Sequence, residues 1–205
     1  MTITITRTLE LGCETVTVRG MEAARVLPMS VPGYLALEES SSVRHEFAGG
    51  EIHAMSDGSR AHNTIAGNIF AKLRAGLRGG PCQVFMADFK VRLEIAGEDI
   101  FYYPDVVVSC HDAAGESHFT RKPTLIVEVL SPTTENIDRP EKQINYRQAA
   151  SLEEYVVVAQ DRREVTVFRR ATGWQGDSFT APESTVDFRS IRQSMTLSEV
   201  YESVF

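Results

Sequence analysis

Apolar residues along this chain fall into short runs separated by polar or glycine- and proline-marked breaks, and the spacing within each run predicts an element. Residues 103–110, YPDVVVSC, and residues 123–132, PTLIVEVLSP, are apolar on nearly consecutive positions, as is Glu154–Ala159. Runs of that kind read as strands buried on both faces. Residues 84–93 instead alternate, with Phe85, Ala87, Phe89, Val91 and Leu93 on one side and Asp88, Lys90 and Arg92 on the other, which predicts one half-exposed strand. Residues 60–77 have helical spacing: Ile65, Ile69, Leu73 and Leu77 form an inward stripe with Ala66 and Phe70 beside it, and Gly79-Gly80-Pro81 stops the helix.

Between these runs the punctuation fills in the order. Ser30 can cap a short helix through about Glu39. Strands at 43–47 and 51–54 flank Ala48-Gly49-Gly50, a tight hairpin signal. Ala96-Gly97-Glu98-Asp99 turns the chain back into the strand that carries Asp105. Asp138 is a helix N-cap with Pro140 in the first turn and Glu141 in the capping-box position, and the next strand is Glu154–Ala159. Strand, helix, strand in that order reads as a crossover to a parallel neighbour. Asp161-Arg162-Arg163 leads into an antiparallel Val165–Arg169, residues 174–180 extend the sheet, and Thr196-Leu197-Ser198-Glu199 opens a short C-terminal helix. The expectation is an α/β (α+β) fold, a mixed central sheet flanked by helices, over residues 29–205. Residues 1–28, with alternation in Thr2–Thr6 and Thr15–Val18, read as an accessory N-terminal extension without an assigned function.

Two acids interrupt the most apolar runs, Asp105 and Glu128. If the runs pair as a hairpin with Cys110 opposite Pro123, every opposed pair sums to 233 and Asp105 faces Glu128. Directly opposed side chains share a face with Cβ atoms roughly 4.5–5.5 Å apart. Two carboxylates there repel and carry a desolvation penalty, so a cation or a basic side chain belongs nearby, or one acid stays protonated. Lys142, Tyr146, Ala149 and Ala150 fall on one helical stripe, the small apolar side, which turns Lys142 inward toward both acids.

Two acids on adjacent strands with a lysine resemble the PD-(D/E)XK, or restriction-endonuclease-like, nuclease superfamily. More closely, YPDVVV, IVEVLSPTTENIDRPEKQINYRQA and EYVVVAQDRREVTVFRR, preceded by RHEFAGGEIHAMSDGSRAHNTIAGNI, resemble the Uma family within it, over roughly residues 29–205. In the superfamily pattern the lysine follows the acid by two residues. Here Leu130 stands at that place, and the resemblance implies that Lys142 on the following helix takes the role. It also implies a histidine lining the site, at His62, and places Glu46 near it. Read from the residues alone, His62 is more often a hydrogen-bonded structural residue, and Glu46 is equally well a solvated acid on an edge strand.

The activity implied is metal-dependent hydrolysis of phosphodiester bonds in DNA. Asp105, Glu128 and the Val129 carbonyl would hold the ion, and an all-oxygen set suits Mg²⁺ or Mn²⁺ over zinc. Lys142 beside two acids favours its charged form, hence an electrostatic role, and Tyr146 either contacts phosphate or packs, packing being the commoner fate. A structural ion pair alone is a poor explanation of the triad, because buried pairs contribute little net stability. Rival readings are an inactive nuclease-fold module that binds nucleic acid or a protein partner, and a dimerisation scaffold. Similar nucleases are commonly dimers, so the resemblance leaves a homodimer as one candidate assembly, and the sequence itself does not fix the oligomeric state.

Composition adjusts this picture modestly. The chain is 205 residues, 42% hydrophobic and 24% charged, ordinary for one globular domain. A net charge of −7 gives no general attraction to nucleic acid, which leaves a local patch such as Arg60, Lys72, Arg74 and Arg78 to contact phosphates, a solvated face being the default. Cys13, Cys82 and Cys110 have no C-x-x-C spacing and an odd count, which argues against disulfides or zinc and for a reduced, cytoplasmic setting. Cys110-His111-Asp112 reads as a buried cysteine at a strand end followed by a polar loop. No run approaches about 18 apolar residues and no apolar leader follows basic residues, so no membrane is expected.

Overall fold

The computed structural model of the protein describes residues 28–55, 58–110, 116–130 and 139–205. The expected extension thus lies almost wholly outside the described residues, as do residues 131–138 with the expected Asp138 cap. Helix α1 (Val31–Ser40) begins at Ser30, whose hydroxyl accepts from the Gly33 amide. Strands β1 (His45–Ala48) and β2 (Glu51–Ala54) follow, joined by Gly49-Gly50 at φ 55° and 94°. Two successive positive φ angles are what a two-residue hairpin demands. At Gly50 a Cβ would also lie 2.4 Å from the Cβ of Pro28, so the entering chain needs glycine there.

Helix α2 (Arg60–Gly76) is capped by the Ser59 hydroxyl and buries Ile65, Ala66, Ile69 and Leu73, with Leu77 partly covered. Then come β3 (Gln83–Met86), β4 (Lys90–Ile95), β5 (Glu98–Tyr102), β6 (Val106–Ser109), β7 (Phe119–Thr120), β8 (Leu125–Leu130), α3 (Arg139–Arg147), β9 (Glu154–Ala159), β10 (Val165–Arg169), β11 (Gly176–Phe179), β12 (Thr185–Phe188), β13 (Gln193–Thr196) and α4 (Leu197–Val200). Thr196 and Glu199 close the expected capping box on α4.

The sheet expected as one is two. The first has the order β2-β1-β5-β4-β7 and the second β11-β10-β9-β8-β6-β3, with a separate β12-β13 hairpin. Each large sheet is mixed: β4 and β7 are parallel in the first, β8 and β9 in the second, and the other pairs are antiparallel. The single strand expected over 84–93 breaks between them. Ala87 sits at φ 56°, a conformation costing a non-glycine residue roughly 1–3 kcal/mol, and its amide bonds the Asp105 carbonyl at 3.3 Å. Ala87, expected inward, is exposed at the break, while Phe85 and Phe89 stack across it, centroids 4.0 Å apart, which is why the sequence shows no interruption. The chain crosses back through Tyr103-Pro104, so Asp105 stands at the leading end of β6 rather than near the middle of a strand.

Three apolar layers follow from the period of two. Val106, Val108, Leu125, Val127, Val156 and Val158 face α2, α4 and the β12-β13 hairpin. Val107, Ile126, Tyr155 and Val157, on the opposite face of the same strands, meet Tyr146 of α3 and Val91, Leu93 and Tyr102 of the first sheet. The far side of that sheet is covered by α1, where Tyr34, Phe47, Phe101 and Phe119 pack.

Three smaller expectations are corrected. Lys90, expected outward, is 6% exposed because α1 covers that face of the first sheet, and the Tyr103 hydroxyl accepts from its ammonium. Ala150 lies past the end of α3 and is exposed. Cys82 and Cys110, expected as free thiols, form a disulfide: continuing the β3-β6 register from Gln83 opposite Ser109 sets them face to face. The spacing rules applied to the sequence address local motifs and are silent on cross-strand partners 28 residues apart.

Candidate functional site

The seam between the two sheets brings the acids together. β6 pairs with β8 as Val106 opposite Val127, Val107 opposite Ile126 and Val108 opposite Leu125, so the sums are all 233 and the expected register holds. The next step of that register sets Asp105 against Glu128, on the face shared with Val107 and Ile126. In β1 the same period of two sends Phe47 toward α1 and Glu46 the other way, toward α3.

Glu46 is part of the cluster. Its Oε1 lies 2.6 Å from Lys142 Nζ and accepts the Tyr103 amide at 3.5 Å. Lys142 also sits over the Tyr102 ring, 5.4 Å from its centroid. Asp105 uses both oxygens: Oδ2 accepts the Val129 amide at 2.7 Å, and Oδ1 lies 3.2 Å from His62 Nε2. The Val129 backbone, accepting from the His62 ring, also favours the protonated imidazole. The Asp105 hydrogen bond raises the His62 pKa above its ordinary value and outweighs the opposing effect of burial. The Ser59 cap, one turn before His62 on α2, holds the helix end that presents the ring.

Glu128 is the outlier. It is 7% exposed, and among the described residues it accepts a hydrogen bond from the Tyr146 hydroxyl alone, at 3.1 Å. Its pKa is pushed up to about 8, first by burial and further by Asp105 and Glu46; Lys142 and the Tyr146 hydroxyl pull the other way. Glu154 shows what a structural buried acid looks like in the same protein. At 2% exposure it accepts Arg169 Nε at 3.0 Å, the Arg189 amide at 3.1 Å, and the Ser190 amide and hydroxyl at 2.9 and 2.6 Å. Glu154 is fully satisfied; Glu128 is not. Tyr146 is itself fixed between Tyr102 and Tyr155, with centroids 5.3 and 5.7 Å away, and burial beside Glu128 raises its pKa well above the usual tyrosine value.

All six expected side chains, Glu46, His62, Asp105, Glu128, Lys142 and Tyr146, thus lie in one linked neighbourhood, with Lys142 bonded to Glu46 rather than to either strand acid. Two residues absent from the sequence reading join them: Tyr102 under Lys142, and Asn145, whose Nδ2 donates to the Tyr102 hydroxyl at 2.8 Å. The aromatic doublet directly before Pro104-Asp105 was the available signal. Of the basic side expected on α2, Arg60, Arg74 and Arg78 are exposed, whereas Lys72 is tied to Glu199 of α4 at 2.6 Å. A cavity of about 210 Å³ opens elsewhere, at the far end of α3, lined by Arg92, Leu93, Glu94, Arg121, Gln148 and Ala149, and none of the six side chains borders it.

Among the described residues no three His, Cys, Asp or Glu side chains are grouped as a metal cage. A Mg²⁺-type site asks for less, one or two carboxylates with substrate oxygens and water completing the shell. Asp105 and Glu128 meet that requirement, and a buried carboxyl left with one hydrogen bond beside two other acids is the donor chemistry such an ion fits.

Fold and site together define a mixed α/β protein with an acid-lysine-histidine cluster at a seam between two sheets. A solved structure of similar fold, that of a putative nuclease belonging to DUF820 from Anabaena variabilis ATCC 29413, aligns with a TM-score of 0.68 at 16% identity, covering 87% of this chain and 100% of that one. Residues 31–198 match the Uma2 family, described as "Putative restriction endonuclease", and the chain belongs to that family. Two relatives from Synechocystis sp. (strain ATCC 27184 / PCC 6803 / Kazusa) are the uncharacterized proteins slr1290, 30% identical with 86% of this chain and 93% of the relative covered, and sll1609, 31% identical with 68% and 80% covered.

Proposed function

We propose that this protein is a Mg²⁺- or Mn²⁺-dependent endonuclease that hydrolyses phosphodiester bonds in DNA, on a restriction-endonuclease-like core. The observation that carries the reading is Glu128: an acid held in an apolar strand, opposite Asp105, without the partners that satisfy Glu154. Such a costly arrangement is poorly explained by stability alone, since replacing buried ionic groups by apolar ones is often neutral or stabilising. Membership of a family described as "Putative restriction endonuclease" and the similar fold of a protein described as a putative nuclease support this reading.

Asp105, Glu128 and the Val129 carbonyl would hold the ion, which when bound supplies neutralisation of phosphate charge and a lowered pKa for water. The other residues supply the rest. Lys142, oriented by Glu46 and the Tyr102 ring, offers a fixed positive charge to the charge that develops on phosphate in the transition state. His62, its pKa raised by Asp105, retains a proton closer to neutral pH and can pass it to the departing oxygen. Tyr146 orients the Glu128 carboxyl.

The test is a cleavage panel on supercoiled plasmid and on single- and double-stranded linear DNA, with Mg²⁺, Mn²⁺ or EDTA. Wild-type protein is expected to cut only with the divalent ion, and Glu128→Ala and Lys142→Ala to abolish cutting. Cleavage that survives both substitutions rejects the assignment.

A further inference from the structure

A second buried polar cluster lies directly behind the site and takes no part in the chemistry above. Glu38 of α1, 5% exposed, accepts the His45 amide at 3.2 Å and contacts His45 Nδ1 at 2.9 Å through Oε1, and accepts the Tyr103 hydroxyl through Oε2. Lys90 Nζ donates to the same Tyr103 hydroxyl at 3.2 Å and lies 5.1 Å from that ring's centroid. The Tyr34 hydroxyl donates to the His45 carbonyl at 2.7 Å, so the backbone of His45 is held from both sides. His45 immediately precedes Glu46, and Tyr103 precedes Asp105 by two residues with the stiff Pro104 between them. The Tyr103 amide also donates to Glu46.

We propose that Tyr103 and Glu38 are positioning residues: their hydrogen bond, braced by Lys90 and His45, fixes how far Glu46 on one sheet stands from Asp105 on the other. Each half of the site hangs from one end of this chain of contacts, and the seam is otherwise the place where the backbone leaves one sheet for the next. Groups behind the ligands of a site that orient them commonly influence ion affinity about 10–100-fold. The consequence for cation binding rests on the function proposed above; the geometric consequence does not.

Tyr103→Phe keeps the ring and removes the hydroxyl. Two readouts separate the questions. The Val129 amide proton, bonded to Asp105 Oδ2, reports the place of Asp105 by NMR without any metal or substrate. Mn²⁺ affinity by calorimetry reports the assembled site. Tyr103→Phe is expected to move the Val129 amide resonance by more than its linewidth and to weaken Mn²⁺ binding about tenfold or more. Arg169→Met, which strips the buried Glu154 of its guanidinium at the end of β9 away from the Val158 that pairs with Val129, serves as the destabilised control and should leave both readouts unchanged. Glu38→Gln, which keeps an acceptor oxygen, should give a smaller shift than Glu38→Ala. A Val129 amide that stays in place in Tyr103→Phe, with only the melting temperature lowered as in the control, overturns the inference. If the amide moves but wild-type protein binds no Mn²⁺ and cuts no DNA, the positioning role stands and the nuclease reading falls.

Discussion

Glu128→Gln in metal-free buffer is the sharpest single perturbation, because it removes one ionisation while keeping shape and an acceptor for the Tyr146 hydroxyl. In the folded protein the Glu128 carboxyl is held up at about 8 from an ordinary 4.5. Between those values the folded state keeps a proton that the unfolded state has lost. Stability therefore is highest below about 4.5 for this group and falls as pH rises toward 8, by roughly 1.4 kcal/mol for each pH unit in the middle of the interval. For a domain of this size that amounts to roughly 3–5 °C of melting temperature per pH unit. His62, also raised, acts in the same direction: its contribution is present below 6.5 and is lost as pH climbs through its folded value. It is present in both proteins, so the difference between them isolates Glu128. Thermal unfolding followed by circular dichroism from pH 5.5 to 8 in EDTA should show wild-type protein losing stability faster than Glu128→Gln, with the variant the more stable at the alkaline end. Parallel curves for the two proteins refute the claim that Glu128 folds as a proton-holding acid, and with it the reasoning from burial.

The remaining expectations are briefer. Lys142→Met leaves the Glu46 carboxylate, whose side chain is only 14% exposed, without its ammonium and should cost about 2–3 kcal/mol in urea unfolding; an unchanged midpoint means the 2.6 Å contact does not persist in solution. In His62→Gln the alkaline fall in cleavage rate that follows the raised His62 pKa should disappear, with the rate lowered about 100-fold; a variant that keeps the wild-type pH profile excludes His62 from proton transfer. Purified without reductant, the protein should show no free thiol at Cys82 or Cys110 and, because the bridge closes a 28-residue separation, should lose about 3 kcal/mol on reduction; two titratable thiols in the folded, unreduced protein contradict the pairing.

The sequence made the site more legible than the architecture around it. Register could be read because β6 and β8 are short and apolar, with only the two-residue β7 between them, so a single alignment buries both, and its next step opposes Asp105 and Glu128. The helix stripe placed Tyr146 correctly for the same reason: a period is a local property. What stayed hidden was non-local. Nothing between Phe85 and Phe89 announces that the strand breaks at Ala87 and changes sheets, because the residue pattern alternates across the break and carries no glycine. The disulfide, the Lys72-Glu199 pair and the burial of Lys90 all join segments that meet only in the tertiary fold. Glu46 was ambiguous for that reason too: an acid on a four-residue strand gains its meaning from Lys142, 96 residues away.

The central claim is that the seam acids are a cation site, and one titration tests it. Mn²⁺ should be added to wild-type protein and to Asp105→Ala in a calorimeter at pH 7, in two buffers of different ionisation enthalpy, so that proton release is counted along with affinity. Wild-type protein should bind one ion and release up to about one proton, the one held on Glu128, since a carboxylate ligand must be deprotonated. Asp105→Ala, folded, should give no binding heat. Wild-type protein that takes up no Mn²⁺, or an Asp105→Ala protein that binds it undiminished, contradicts the account.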